Sequence, residues 1–122
     1  MKRLGRDPDA LLPLKRATFQ VLLALGDESM HGYAIMQDVA ERTGGRLKLS
    51  AGTLYGAIKR MLEDGLIEEI AERADAEYHD ERRRYYRVTP FGREAAMAEA
   101  ERLSQLVSRA QAIGWLPKQG QA

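Results

Sequence analysis

The stretch SAGTLYGAIKR at residues 50–60 places hydroxyl groups and positive charges beside an apolar stripe on a predicted helix. Hydroxyls hydrogen-bond to base edges or phosphates, and cations neutralise phosphates, so this mixture is typical of a surface that binds nucleic acid. The alternatives are a packed or half-exposed tyrosine and, for the two cations, an ordinary solvated helix face. The predicted DNA-binding residues on this helix are Ser50, Thr53, Tyr55, Lys59 and Arg60.

A second basic cluster follows an acidic stretch, ADAEYHDE at residues 74–81. Phosphates repel carboxylates, so we place the DNA contacts of this region on the arginines that come after it. Those residues are Arg82, Arg83, Arg84 and Arg87. The alternative is a solvated hairpin in which the arginines pair with Asp80 and Glu81. Tyr86 is predicted to be a core residue, because it shares a strand face with Val88.

The bulk composition excludes several classes of function. The 122 residues carry a net charge of +1, so any basic surface must be balanced by an acidic one elsewhere. There are no cysteines, which excludes disulfide and thiolate chemistry. His31 and His79 fall in different predicted elements, so we predict no metal site and no cofactor. His31 is instead expected to stabilise the start of the second helix. The chain lacks a nucleophile–base pair and a phosphate-binding glycine loop, and we predict that it is not an enzyme. Without a secretory signal or a membrane-length apolar run, it is expected in the cytoplasm.

The elements that must position these residues follow from apolar spacing and capping signals. Helical spacing predicts a first helix over residues 14–25, with Pro13 in its first turn, and a second helix that begins after Ser29. Ser50 is a predicted N-cap for a third helix over 51–64, and Gly65 ends it. Strands are predicted over 66–70 and 84–88, and Thr89–Pro90 starts a last helix that reaches about residue 112. Leu47 and Leu49 suggest a very short strand or an extended link.

Three short helices followed by an antiparallel hairpin form a winged helix-turn-helix, whose third helix fits the DNA major groove. The predicted fold class is therefore mainly α (α+β), a winged helix-turn-helix with a C-terminal dimerisation helix. The predicted segments are a flexible arm over 1–10, the DNA-binding domain over 11–89, the dimerisation helix over 90–116 and a tail over 117–122.

The last helix carries a heptad-like apolar stripe, which is typical of a helix that pairs with another helix. Its predicted dimer contacts are Ala96, Leu103, Leu106, Ala110, Ile113 and Trp115. A two-fold axis created by such a pair would match a palindromic operator. Trp115 is expected to be an apolar plug at the interface, with direct stacking on a small-molecule effector as the alternative.

Three ordered motifs resemble the PadR family of bacterial transcriptional regulators. They are LLALGDESMHGYAI at 22–35, GGRLKLSAGTLYGAIKRMLEDGLIEE at 44–69 and RRRYYRVTPFGR at 82–93. The resemblance implies a winged-helix homodimer that represses transcription from inverted-repeat operators on double-stranded DNA. Some members are released by small aromatic or drug-like ligands. It also implies that Tyr55 is the leading contact on the recognition helix, and that the single last helix places this chain in the shorter branch.

A different class of function fits the same fold. A winged helix can serve only as a protein-interaction module, since a fold alone does not establish function. The basic, acid-poor surface of the third helix argues against that reading, and absence of DNA binding at low salt would support it.

Overall fold

The computed structural model describes residues 6–70 and 84–118. Its elements are a 3₁₀ helix Pro8–Leu11, α1 Arg16–Leu25, β1 Met30–His31, α2 Gly32–Arg42, α3 Ala51–Glu63, β2 Ile67–Ile70, β3 Tyr85–Val88 and α4 Pro90–Ala112. The arrangement is a winged helix-turn-helix, mainly α with a small β-sheet, as the sequence predicts. Residues 47 and 49 belong to a loop rather than to a strand.

The core lies where α1, α2 and α3 meet the sheet and the start of α4. Each helix contributes residues at helical spacing, such as Val21 and Leu25 from α1 and Leu54 and Met61 from α3. These side chains are almost fully buried, and removal of their apolar surface from water is the main force that holds the three helices together. Tyr86 is also buried in this cluster, which confirms its prediction as a core residue.

The sheet has three strands, in the order β1–β3–β2, and both pairings are antiparallel. The sequence predicts only the β2–β3 hairpin, so β1 is a finding of the structure.

Met30 and His31 pair with Tyr86 and Tyr85, which holds their backbone extended. The second helix therefore begins at Gly32, and the prediction of Ser29 as its N-cap is wrong. The Nδ1 atom of His31 caps the helix instead, because it accepts the Ala34 N–H at 3.3 Å. The expectation that His31 stabilises the start of this helix is confirmed.

The junction between the sheet and α4 is compact. Thr89 is the N-cap of α4, as predicted, and its hydroxyl accepts the Gly92 N–H at 2.9 Å. The same hydroxyl donates to the Gly65 carbonyl at 2.5 Å, and the Thr89 N–H donates to the Leu66 carbonyl at 3.0 Å. Gly65 has φ +77°, a left-handed conformation that glycine adopts without strain, which ends α3 where the sequence predicts. This junction fixes the angle at which the wing leaves the domain.

The predicted arm over residues 1–10 lies partly outside the described residues, which begin at Arg6. Asp7 caps the 3₁₀ helix, which packs against α4, and the Arg6 guanidinium lies 4.4 Å from the centre of the Phe91 ring. The first helix begins at Arg16 rather than at residue 14, because its N-cap Lys15 has extended dihedrals (φ −65°, ψ 152°), and Pro13 therefore precedes the helix instead of lying in its first turn as predicted. Within the part of the chain that the structure describes, no helix is long and apolar enough to cross a membrane.

Candidate nucleic-acid interface

The recognition helix α3 is fixed at its N-terminus by a hydroxyl cap. Ser50 accepts the Thr53 N–H at 3.1 Å, and its own hydroxyl donates to the Thr53 side-chain oxygen at 3.0 Å. The buried stripe of α3 is Leu54, Ala57, Ile58 and Met61. Because these residues face the core, the helix presents the remaining positions outward.

The centre of that outward face is nearly free of side chains. Gly52 and Gly56 lie one turn apart, and a Cβ atom built on either would meet no other atom within 4 Å. Neither glycine has a positive φ, so neither the backbone nor the packing requires glycine at these positions. Lys59 follows on the same side and is exposed. An adjoining molecule can therefore approach the α3 backbone closely before it meets the cation of Lys59.

Tyr55 lies on one flank of this face, directed towards the start of α2. Its side chain is 41% exposed, so both readings of this residue apply to the uncomplexed protein: it is partly packed and partly available. A Cβ atom built on Gly32 would lie 2.7 Å from the Tyr55 Cζ atom and closer still to the hydroxyl. Gly32 thus leaves the space that the phenol end of Tyr55 occupies.

Arg60 lies on the opposite flank, about 140° around the helix from Tyr55. It lines a groove of about 210 Å³ together with Leu11, Lys15 and Asp64. The structure therefore does not bring Tyr55 and Arg60 together, although the sequence analysis placed both on one face. Two further cations, Arg46 and Lys48, are exposed in the loop that leads into Ser50.

The described wing arginines both make ion pairs across the β2–β3 strand pair. Arg87 binds Glu68 at 2.7 Å, and Arg84 lies 3.6 Å from Glu69. All four side chains are substantially exposed, so water screens these pairs and they stabilise the strand pair only weakly. Arg82, Arg83 and the acidic stretch before them lie outside the described residues.

Tyr86 lies behind this surface rather than on it. Burial, followed by the charge of Glu69 and the nearby Tyr55, raises the pKa of the Tyr86 phenol above its ordinary value. The phenol therefore stays neutral and forms part of the wall against which the recognition helix rests. Tyr86 is thus buried in the sheet, whereas Tyr55 lies at the surface.

The predicted dimer contacts separate into two groups along α4. Ala96 packs against the core of its own chain, and Leu103 and Ala110 are partly buried. Leu106 is 57% exposed, Ile113 is also exposed, and Trp115 is 79% exposed. Exposed apolar residues that the sequence analysis did not include are Met97, Val107 and Leu116. Most of this uncovered apolar surface lies in the second half of α4 and in the residues that follow its end at Ala112.

An apolar groove of about 280 Å³ lies beside that surface, between α1 and the first half of α4. Phe19, Leu22, Val88, Met97 and Ala100 line it. At one end, an ion pair between Arg93 and Asp27 closes the rim. Such a groove suits an apolar side chain of a partner or a small apolar molecule.

Two residues important for this architecture were missed by the sequence analysis. Glu99 lies off the predicted apolar stripe of the last helix and was assigned no role, yet it is 3% exposed. It forms two hydrogen bonds with Arg102, at 2.8 and 2.9 Å, and also accepts the Leu14 N–H at 3.4 Å. The hydrogen bonds from Arg102 hold the pKa of the Glu99 carboxyl below its ordinary value.

Gly32 was matched only as part of a motif. Its signal in the sequence was a glycine in the first turn of a helix, where alanine would be the better helix former.

The chemical groups that this surface presents can form hydrogen bonds and ion pairs. Within residues 6–70 and 84–118, no group of three histidine or carboxylate side chains is placed to hold a metal ion. The surface instead combines an open helix face, a half-exposed tyrosine and peripheral cations.

Comparisons with known proteins agree with this geometry. The model of the transcriptional regulator PadR-like family matches residues 21–98. An uncharacterized 37.1 kDa protein in transposon TN4556 of Streptomyces fradiae is 36% identical over 93 residues. Those residues are 76% of this chain but 24% of the relative, so the chain matches about a quarter of that protein's length.

Two solved structures have a similar fold. A PadR family transcription regulator from Clostridium difficile has a TM-score of 0.70 at 22% identity, with 81% of this chain and 98% of that chain covered. A transcriptional regulator from Clostridium thermocellum has a TM-score of 0.64 at 24% identity, with 80% and 89% covered. At such identities the similarity establishes the fold alone.

Proposed function

We propose that this chain, which belongs to the transcriptional regulator PadR-like family, is a DNA-binding transcriptional repressor. In this proposal a homodimer binds an inverted-repeat operator and blocks transcription from it. The observation that carries the proposal is the outward face of α3, where Gly52 and Gly56 leave the backbone open and Tyr55 and Lys59 border it. A helix with such a face can enter the major groove more deeply than one covered by long side chains.

The roles of individual residues follow from their positions. Tyr55 and Thr53 offer hydroxyls at the two edges of the open face, and we assign them to base or phosphate hydrogen bonds. Lys59 and Arg60 are assigned to phosphates on opposite sides of the groove, because they lie at different angles around α3. Ser50 leaves the N-terminus of α3 facing outward, where free backbone amides favour a phosphate.

The wing arginines complete the proposed interface. Arg84 and Arg87 are paired with glutamates in the uncomplexed protein, and we propose that phosphates replace those carboxylates on binding. The same role is proposed for Arg82 and Arg83. Every phosphate neutralised in this way releases counterions, so binding should weaken as salt is raised.

Dimerisation is proposed through the second half of α4 and the residues that follow it, where Leu106, Ile113 and Trp115 are exposed. Apolar side chains concentrated on a projecting helix mark an interaction surface. A two-fold pair of these helices would present two copies of α3 to two half-sites. We further propose that a small apolar or aromatic effector acts in the groove between α1 and α4, because occupancy there would alter how the paired helices pack.

Fluorescence anisotropy tests the proposal, with the promoter upstream of the protein's own gene and a scrambled sequence as probes at several salt concentrations. The wild-type protein should bind the promoter selectively, and Tyr55→Ala should lose most of that selectivity. Lys59→Ala should weaken binding to both probes and lower the salt dependence by about one phosphate. Ser104→Ala, at an exposed position of α4, is the matched control and should behave as wild type. No binding at low salt would overturn the proposal and favour a protein-interaction module.

A further inference from the structure

The need for glycine at position 32 is not explained by the conformation of its backbone. It is the first residue of α2, it is buried, and its φ is not in the left-handed region. Alanine would be compatible with that backbone and would favour the helix. What excludes a side chain is Tyr55: a Cβ on Gly32 would lie 2.7 Å from the Tyr55 Cζ and 3.1 Å from its Cε1.

Gly32 is also held in place from the other side. His31, the preceding residue, pairs with Tyr85 in the sheet and packs edge-on against its ring, with 5.5 Å between ring centroids. The same histidine caps α2 through the Ala34 N–H. The backbone at Gly32 is therefore anchored by both a strand and a helix cap, and it has little freedom to move away from an added methyl group.

The tyrosine is the more mobile of the two partners. Tyr55 is 41% exposed, whereas Gly32 is buried, so an overlap between them is relieved most easily by rotation of the tyrosine side chain. Side chains occupy discrete staggered rotamers, so the displaced ring would move to a different well rather than shift slightly. Its hydroxyl would then leave its position beside Gly32, and the ring would be presented differently at the edge of the α3 surface.

We propose that Gly32 is a positioning residue for DNA recognition, because the space that it leaves selects the rotamer in which Tyr55 is presented. The proposal rests on the proposed function, in which Tyr55 contacts the operator. It assigns a role in selectivity to a residue of α2 that need not touch DNA. It also links the sheet to the recognition helix, through His31, Gly32 and Tyr55 in turn.

A double-mutant cycle with Gly32→Ala and Tyr55→Ala tests this coupling. Anisotropy would be measured with the operator and with scrambled DNA. The readout is the dissociation constant for scrambled DNA divided by that for the operator. Gly32→Ala should reduce that ratio by about tenfold, since a lost specific contact has an effect of that order. Binding to scrambled DNA should change less than about twofold, because phosphate contacts carry it. In the Tyr55→Ala background, Gly32→Ala should have almost no further effect.

A loss of folding cannot imitate this pattern. Glu41→Ala, at an exposed position later in α2, is the control and should retain wild-type selectivity. The thermal midpoint of Gly32→Ala should stay within a few degrees of wild type, since a surface tyrosine absorbs the overlap. A collapse of that midpoint would overturn the proposal, as would equal effects of Gly32→Ala with and without Tyr55. If wild type discriminates and Gly32→Ala does so equally well, this inference alone fails; if wild type does not discriminate, the proposed function fails with it.

Discussion

Gly92 lies directly against the carbonyl group of Leu66, so that the first turn of α4 touches the residue that leads into the wing. A Cβ atom built on Gly92 would lie 2.8 Å from the Leu66 carbonyl carbon and would overlap its oxygen, with the Val88 Cγ1 at 3.0 Å. The Leu66 carbonyl also accepts the Thr89 N–H. Because the two nearest atoms, the Leu66 carbonyl oxygen and carbon, belong to the backbone, rotation of a side chain cannot relieve the overlap.

Gly92→Ala is therefore expected to destabilise the fold. The methyl group must push α4 away from the wing, and such overpacking costs about 1–3 kcal/mol. Urea denaturation at fixed protein concentration would measure the loss in the free energy of unfolding. Ala98→Ser is the control, because it is a substitution of similar size elsewhere on α4. A Gly92→Ala protein as stable as wild type would contradict the close approach.

Gly56→Ala and Gly52→Ala should have the opposite effect on stability. Their Cβ atoms enter open space on α3, so each substitution should stabilise the protein by about 0.5–1 kcal/mol through better helix propensity. In the proposed complex the same methyl groups meet DNA, and operator affinity should fall by about tenfold. Thermal melts and anisotropy on the same samples would check both effects. Ser104→Ala is the matched control. If the glycine variants are more stable but bind the operator as tightly as wild type, Gly52 and Gly56 do not contact DNA.

The Glu99–Arg102 pair predicts a dependence of stability on pH. Since hydrogen bonds from Arg102 lower the pKa of Glu99 in the folded state, the folded protein binds this proton less readily than the unfolded chain does. The stabilising contribution is thus fully present above the unfolded pKa of about 4.3, and is lost as the pH falls through the lower folded value.

Glu99→Gln should accordingly be less stable than wild type near pH 7, and the difference should shrink as the pH is lowered towards 3. Urea midpoints measured from pH 7 to pH 3 would check this. Glu101→Gln is the control, because that carboxylate is exposed and accepts a hydrogen bond from the side chain of Gln105, one turn later in α4. A constant difference between wild type and Glu99→Gln across the range would contradict the linkage.

Leu106→Asp should weaken the proposed dimer. Leu106 is 57% exposed in the single chain, so a charge there is tolerated by the isolated fold but not by an apolar interface. Sedimentation equilibrium should show at least a tenfold weaker self-association, which corresponds to about 1.4 kcal/mol. Ser104→Asp, which adds the same charge off the apolar stripe, should leave the association intact. If both variants dimerise as wild type does, the interface lies elsewhere.

Local sequence patterns were sufficient for most of the architecture. The bounds of α3 and α4, their caps at Ser50 and Thr89, the left-handed turn at Gly65 and the burial of Tyr86 all follow from signals within a few residues of each position. Periodicity and capping are short-range properties, which is why they can be read along the chain.

Sequence patterns were sufficient to predict the four helices, the β2–β3 hairpin and the chemical groups that α3 presents outward. How those groups are held depends on three-dimensional packing. The pairing of Met30–His31 with β3, the burial of Glu99, and the contact of Tyr55 with Gly32 each join residues far apart in the chain. Such contacts depend on how whole elements pack against one another, and a glycine that yields space to a distant tyrosine leaves no periodic signal of its own.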